Sequence, residues 1–161
     1  MLTVRPALPA DLHAVAELFN AYLGTGSMAL EPLSADDYRP LLTDDRCRLL
    51  VAENGENASC VGYASVKPWS PRGGYVLAGE VSIFLLPGST GSGTGTLLYG
   101  RLLPAAEALG YRYLAARIMA RNTGSVRFHE RHGFRVVGVQ RGIGFINGER
   151  LDNVLMERVL P

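Results

Sequence analysis

The chain has 161 residues, a formal net charge of +1, 47% hydrophobic residues and 19% charged ones. That size suits one domain with one sizeable core, and the composition is that of an ordinary soluble globular protein. A near-neutral balance gives no reason to invoke nucleic acid or an anionic membrane. No apolar run approaches the ~20 residues of a membrane span, and the first residues, Met1-Leu-Thr-Val-Arg-Pro6, lack a signal-peptide pattern.

Leu2 to Arg5 reads as a short first strand. Pro9, Ala10 and Asp11 open a helix whose apolar residues Leu12, Val15, Ala16, Leu18, Phe19 and Tyr22 share one face. Ser34 with Asp37 resembles a capping box and starts a second helix through about Thr43. Arg48 to Glu53 and Cys60 to Lys67 flank a turn that begins Asn54-Gly55 and reads as a hairpin. A loop rich in proline and glycine, Pro68 to Tyr75, leads to a buried strand from Ala78 to Leu86. A helix from about Thr94 to Leu109 stops at Gly110, and Tyr111 to Met119 forms the next strand. A short helix from Ser125 to His132 ends at Gly133. Phe134 to Gln140, then two strands around the Asn147-Gly148 turn, complete the chain. The order βααβββαβαββ describes an α/β (α+β) protein with a mostly antiparallel first half. Cys47 and Cys60 have no metal-ligand spacing; they fall on adjacent predicted strands and read as reduced core thiols of a cytosolic protein. No metal site is expected.

Between the buried strand and the long helix lies Pro87-Gly-Ser-Thr-Gly-Ser-Gly-Thr-Gly-Thr-Leu-Leu98. Loops of this kind bind phosphate. Gly91, Gly93 and Gly95 remove Cβ atoms that would keep a ligand off the main chain. Successive N–H groups and the positive end of the helix dipole then attract an anion. Ser92, Thr94 and Thr96 offer hydroxyl donors. A nucleoside-triphosphate loop would need a lysine after the last glycine, and none is near. A dinucleotide fold would need G-x-G-x-x-G and an acidic residue roughly twenty positions on. The spacing here is Gly91-x-Gly93-x-Gly95, and no acidic residue occurs between Glu107 and Glu130.

Without a family the loop also reads as a flexible surface loop; a further reading, the pyrophosphate of coenzyme A, enters through a resemblance. Leu86 to Leu98, followed by Asn122-Thr-Gly-Ser125-Val-Arg-Phe-His129-Glu-Arg-His-Gly133-Phe134, resembles the two motif segments of the GNAT superfamily of acetyltransferases. Val4-Arg-Pro-Ala7, Gly62-Tyr63-Ala64-Ser65, Arg72, Tyr75, Glu80 and the ending Asp152-Asn-Val-Leu-Met156 resemble its phosphinothricin and methionine sulfoximine acetyltransferase branch. The chain departs from that pattern at Thr90, where the family's loop opens with a basic residue or glutamine. It departs again at Trp69-Ser70-Pro71-Arg72, where the branch has Phe-Arg-Pro-Arg.

The resemblance implies a GNAT acyl-CoA fold over residues 1–161, acetyl-CoA as co-substrate, a small-molecule amine substrate, a cytoplasmic location and a homodimer. It implies Glu80 as the base that takes the amine's proton. Glu80 begins an otherwise apolar strand, where partial burial would favour such a role; read without the family, it is a strand-end carboxylate in an ion pair. His129 falls where many members carry a tyrosine acid, and it reads equally as a helix histidine that caps or packs. The backbone of Ile83, Phe84 and Leu85 would run beside the pantetheine arm and polarise the thioester carbonyl, and Asn122 would bind pantetheine or cap a helix. Trp69, Arg72, Tyr75 and Ser82 would line the substrate side, with Arg72 gripping a carboxylate. The implied reaction is direct acetyl transfer to the α-amine of a small amino acid such as methionine sulfoximine, methionine sulfone or phosphinothricin. A protein N-terminus, a polyamine, or non-catalytic acyl-CoA binding are the alternatives.

Overall fold

Side chains on a strand alternate between faces, and here that alternation sorts the apolar residues into two layers. The computed structural model describes residues 1–161. Its strands are β1 (Leu2–Pro6), β2 (Arg48–Asn54), β3 (Ser59–Pro68), β4 (Ala78–Leu85), β5 (Tyr113–Met119), β6 (Arg135–Ile146) and β7 (Glu149–Val159). They form one sheet in the order β1-β2-β3-β4-β5-β7-β6. Every neighbouring pair is antiparallel except β4 and β5, which run parallel.

Five helices connect them: α1 (Leu12–Asn20), α2 (Ala35–Tyr38), α3 (Pro40–Thr43), α4 (Thr94–Ala108) and α5 (Thr123–Arg131). On one face of the sheet, Leu98, Tyr99, Leu102 and Ala106 of α4 are buried against Ala64, Val66, Val81 and Leu114. On the other, Leu12, Val15 and Leu18 of α1 are buried with Tyr38, Leu49, Val51 and Tyr63. Along β4, Val81, Ile83 and Leu85 meet the α4 layer, whereas Phe84 meets the α1 layer. Alternation therefore puts Glu80 and Ser82 on the α1 side. No helix is long and apolar enough to cross a membrane.

Three expectations change. The second helix is two one-turn helices that meet at Pro40, which has no N–H to continue a helical ladder. Its capping box is present: the Asp37 carboxylate accepts from the Ser34 N–H at 2.7 Å. The segment Phe134–Gln140 and the first arm of the last hairpin are one strand, β6. Two register shifts let it stay paired with β7, and at the second Gly142 takes φ +60° and donates its N–H to the Asp152 carboxylate at 2.6 Å. Finally, Cys47 precedes β2 instead of lying within a strand. Cys47 is buried and Cys60 half-buried, both free, and burial raises both thiols above their ordinary pKa.

Candidate active site

The parallel ladder between β4 and β5 is short. It pairs Ala78 with Tyr113, Gly79 with Leu114 and Glu80 with Ala115, and ends there. Beyond that point β4 stays bonded to β3 as far as Leu85, and β5 to β7 as far as Met119. The two facing edges thus diverge without strand partners. Backbone N–H and C=O groups on such edges need other partners, and a bound chain can supply them. A cleft of about 710 Å³ fills the gap, walled by residues 81–85 on one side and 116–119 on the other. It runs from the phosphate-loop side through to Tyr22 and Gly26 beside α1. The Tyr22 hydroxyl donates to the Leu85 carbonyl at 2.5 Å, which engages one of the backbone groups expected to face pantetheine.

Thr90, Gly91, Gly93, Gly95 and Thr96 line the mouth of this cleft. Gly91 and Gly93 take φ of +81° and +84°, a left-handed conformation natural to glycine, and a Cβ at either would meet nothing within 4 Å. Their surroundings leave room for a ligand at the main chain. Gly95 has a different reason: a Cβ there would stand 2.9 Å from the Phe128 ring, so this glycine lets α4 and α5 close together. The expectation for Ser92 and Thr94 is corrected. The Ser92 hydroxyl donates to the Ser89 carbonyl at 2.6 Å, and the buried Thr94 hydroxyl bonds Ser92 Oγ at 2.8 Å. Both donors serve the loop itself, and Thr96 keeps its place on the cleft. Asn122 caps a helix, one of its two expected tasks, and also lines the cleft. Its Oδ1 accepts from the Ser125 N–H at 3.2 Å as the cap of α5, which leaves its NH₂ donors free where the residue lines the cleft.

Glu80 sits at the apex where the strands part and is 8% exposed. Burial is not the only influence on its carboxylate. Arg117 grips it through Nε at 2.5 Å and Nη2 at 3.1 Å, and Lys67 Nζ lies 3.8 Å away. The ion-pair reading of the sequence thus holds, at the last rung of the parallel ladder, next to the cleft-lining Val81 and bonded to the cleft-lining Arg117, although Glu80 itself is not part of the lining. Glu80 in turn raises the pKa of the Arg117 guanidinium. Arg117 is not among the residues singled out from the sequence; it shares one face of β5 with Ala115 and Met119, while Leu114, Ala116 and Ile118 face the α4 layer, and a lone charge on an otherwise apolar strand is the signal that could have found it. Trp69 joins the group, its ring 5.7 Å from the Arg117 guanidinium. Ser82 lies two residues along β4 on the wall of the cleft.

Two other expected residues are elsewhere. The loop after Trp69 folds into a single 3₁₀ turn, Gly73–Tyr75, and leaves Arg72 and Tyr75 exposed and outside the cleft lining. His129 lines the cleft but is 3% exposed, and both ring nitrogens are engaged. Nδ1 donates to the Ser125 carbonyl at 2.8 Å, which sets the tautomer, so Nε2 accepts from the Tyr99 hydroxyl at 2.7 Å. Burial lowers its pKa to about 4, so the ring is neutral at pH 7 and has no proton to give beyond the one bonded to Ser125. The packing reading of His129 accounts for this geometry. Tyr99, its partner, is not among the residues singled out from the sequence; it lies within the helix expected from about Thr94 to Leu109.

A strand pair that splays beside a glycine loop at a helix N-terminus is a recognisable arrangement, and comparison with known proteins agrees. Residues 38–155 match the family model for the acetyltransferase (GNAT) domain. The chain is 34% identical to a phosphinothricin N-acetyltransferase of Streptomyces coelicolor, over 98% of this chain and 95% of that protein. It is 29% identical to an L-methionine sulfoximine/L-methionine sulfone acetyltransferase of Pseudomonas aeruginosa, over 96% and 92%. The crystal structure of a phosphinothricin acetyltransferase from Sinorhizobium meliloti in complex with acetyl-CoA superimposes with a TM-score of 0.91 at 29% identity, covering 99% of this chain and 88% of that one. The family match spans most of the sequence and the fold is shared throughout: the chain belongs to the GNAT family of acetyltransferases.

Proposed function

We propose that the protein transfers the acetyl group of acetyl-CoA directly to the α-amine of a small amino acid or analogue of the methionine sulfoximine, methionine sulfone or phosphinothricin type. The observation that carries this reading is the junction at Glu80: a carboxylate at the point where a backbone-lined cleft opens between β4 and β5. Acetyl-CoA supplies the activated acyl group as a thioester. The chain's part is to bind it, orient the amine and move one proton.

The main-chain amides around Gly91, Gly93 and Gly95, at the N-terminus of α4, would hold the pyrophosphate. The unpaired edge of β4 at Ile83, Phe84 and Leu85 and the Asn122 amide would hold the pantetheine arm, and an N–H on that edge would polarise the thioester carbonyl. An ammonium with a pKa near ~10 is no nucleophile at pH 7, so a base must take its proton. Glu80 is that base, directly or through a water. Ser82 and Trp69 stand beside it on the substrate side. His129 acts as a neutral wall that fixes α5 to α4. Raised thiols at Cys47 and Cys60 give no support to an acetyl-cysteine intermediate.

We also read residues 1–161 as one catalytic domain, supported by a sheet that runs unbroken from β1 to β6. A homodimer through the β6 and β7 arm is part of the proposal. Val136, Val137, Val139, Ile143 and Phe145 are exposed along β6, and Phe145 is 68% exposed. A cytoplasmic location fits two free cysteines.

The test is thiol release from acetyl-CoA across amino acids, methionine sulfoximine, methionine sulfone, phosphinothricin, polyamines and short peptides. Release with the amino acids and their analogues is expected. Release only with peptides or polyamines would reassign the substrate, and tight acetyl-CoA binding with no release on any amine would make the protein a binder. Light scattering tests the dimer, which Phe145→Asp is expected to weaken.

A further inference from the structure

The groups that face Glu80 do not suit an arbitrary amine. Two cations, Lys67 and Arg117, adjoin one carboxylate, so the apex carries an excess of one positive charge before any substrate enters. A simple amine or a polyamine would add more positive charge. A zwitterion adds none. Its ammonium finds Glu80, and its carboxylate needs a cation on the cleft.

Arg117 meets that need on four counts. It lines the cleft, whereas Arg72 does not. Its side chain is 54% exposed although its partner is buried, so part of the guanidinium still faces the open space. A guanidinium has five N–H donors in a planar fork. One from Nε and one from Nη2 reach Glu80, and three remain for a second acceptor. The Trp69 ring, 5.7 Å away, restrains the plane of the group.

We propose that Arg117, and not Arg72, receives the carboxylate of the substrate while Glu80 faces its ammonium, so that the Glu80–Arg117 pair is a zwitterion-recognition site specific for free α-amino acids. This rests on the amino-acid reading above and adds the residue that sets its specificity. Arg117 then lies head to tail with the substrate: each of the four charges has an opposite neighbour, and Lys67, half-exposed, keeps its hydration. A peptide N-terminus or an ester carries the ammonium but not the carboxylate, and it would leave the Arg117 donors unpaired.

The experiment compares L-methionine sulfone with its methyl ester as acetyl acceptors, in the wild type, Arg117→Ala and Arg117→Lys, by steady-state thiol release. The wild type is expected to show a KM for the ester about tenfold or more above that for the free acid. Arg117→Ala is expected to raise the KM of the acid to that of the ester, while the KM of the ester moves less than about twofold. Arg117→Lys keeps a cation beside Glu80 and is expected to restore part of the preference. Equal KM values for acid and ester in the wild type would overturn the proposal and need no variant. So would a loss of kcat in Arg117→Ala that is the same for both acceptors at an unchanged KM ratio, since that is the signature of Arg117 merely positioning Glu80. So would a rise in the acid's KM that follows Arg72→Ala instead. If neither sulfone nor ester is acetylated while a peptide or polyamine is, the amino-acid reading itself falls, and this inference with it.

Discussion

Tyr99 Oη and His129 Nε2 lie 2.7 Å apart, both side chains buried, and the bond ties α4 to α5 directly behind the cleft. One helix begins at the glycine loop and the other is capped by Asn122, so the bond couples two parts of the candidate cofactor site.

The state of His129 gives stability a defined pH dependence. Folding keeps the ring neutral down to about pH 4, whereas an unfolded histidine takes up a proton below about 6.5. The unfolded state therefore binds more protons between those values, and stability falls as pH drops from about 6.5 to about 4 and is insensitive to this group above. The loss attributable to it is at most roughly 3 kcal/mol. Urea melts across pH 4–8 should show that decline in the wild type and a shallower one in His129→Gln, which carries no titrating ring. Equal slopes would contradict the assignment.

Glu80→Gln is expected to lower kcat roughly 100-fold or more, the scale of a lost general base, and to leave the dissociation constant for acetyl-CoA within about twofold. Removal of the carboxylate also leaves Arg117 without its partner. That side chain is half-exposed and can be hydrated, so the variant should fold, and circular dichroism checks this. Calorimetric titration of acetyl-CoA alongside the rate assay separates lost chemistry from lost binding.

Gly93 caps α4 at φ +84° with open space around its missing Cβ. Gly93→Ala strains the backbone by about 1 kcal/mol and puts a methyl group where a diphosphate would approach. The expected result is a rise of about tenfold in the KM for acetyl-CoA with kcat little changed. A variant with unaltered KM would show that the loop does not carry the cofactor.

Direct transfer predicts that no cysteine takes part. Cys47 and Cys60 are both pushed up by burial, which disfavours the nucleophilic thiolate. The double variant Cys47→Ala, Cys60→Ala should retain turnover within about threefold at 25 °C. Mass spectrometry of the wild type after brief exposure to acetyl-CoA, without amine, should show no added acetyl group on either residue.

Local sequence made much of this legible. Periodicity placed the strands and helices, and Gly91 and Gly93 marked the loop before α4, where the backbone is left-handed and asks for glycine. The exceptions have physical causes. Pro40 splits the helix expected from the Ser34 cap through Thr43, and bulged pairing around Gly142 joins Phe134–Gln140 to the first arm of the last hairpin, two segments expected as separate strands. At the site, what was hidden is pairing across the sheet. Glu80 and Arg117 are far apart in sequence and meet only because β5 lies beside β4; Tyr99 and His129 meet only because α5 folds onto α4. Arg72 lies just before β4 in sequence, but the intervening turn leaves it exposed and outside the cleft lining.

The most direct measurement is a crystal structure of the protein with coenzyme A bound. The account predicts density for the pyrophosphate on the main-chain amides of residues 91–96, and for the pantetheine arm between β4 and β5, with its sulfur near the Glu80–Arg117 pair. Coenzyme A bound at any other surface, with the space between the two strands filled only by solvent, would contradict it.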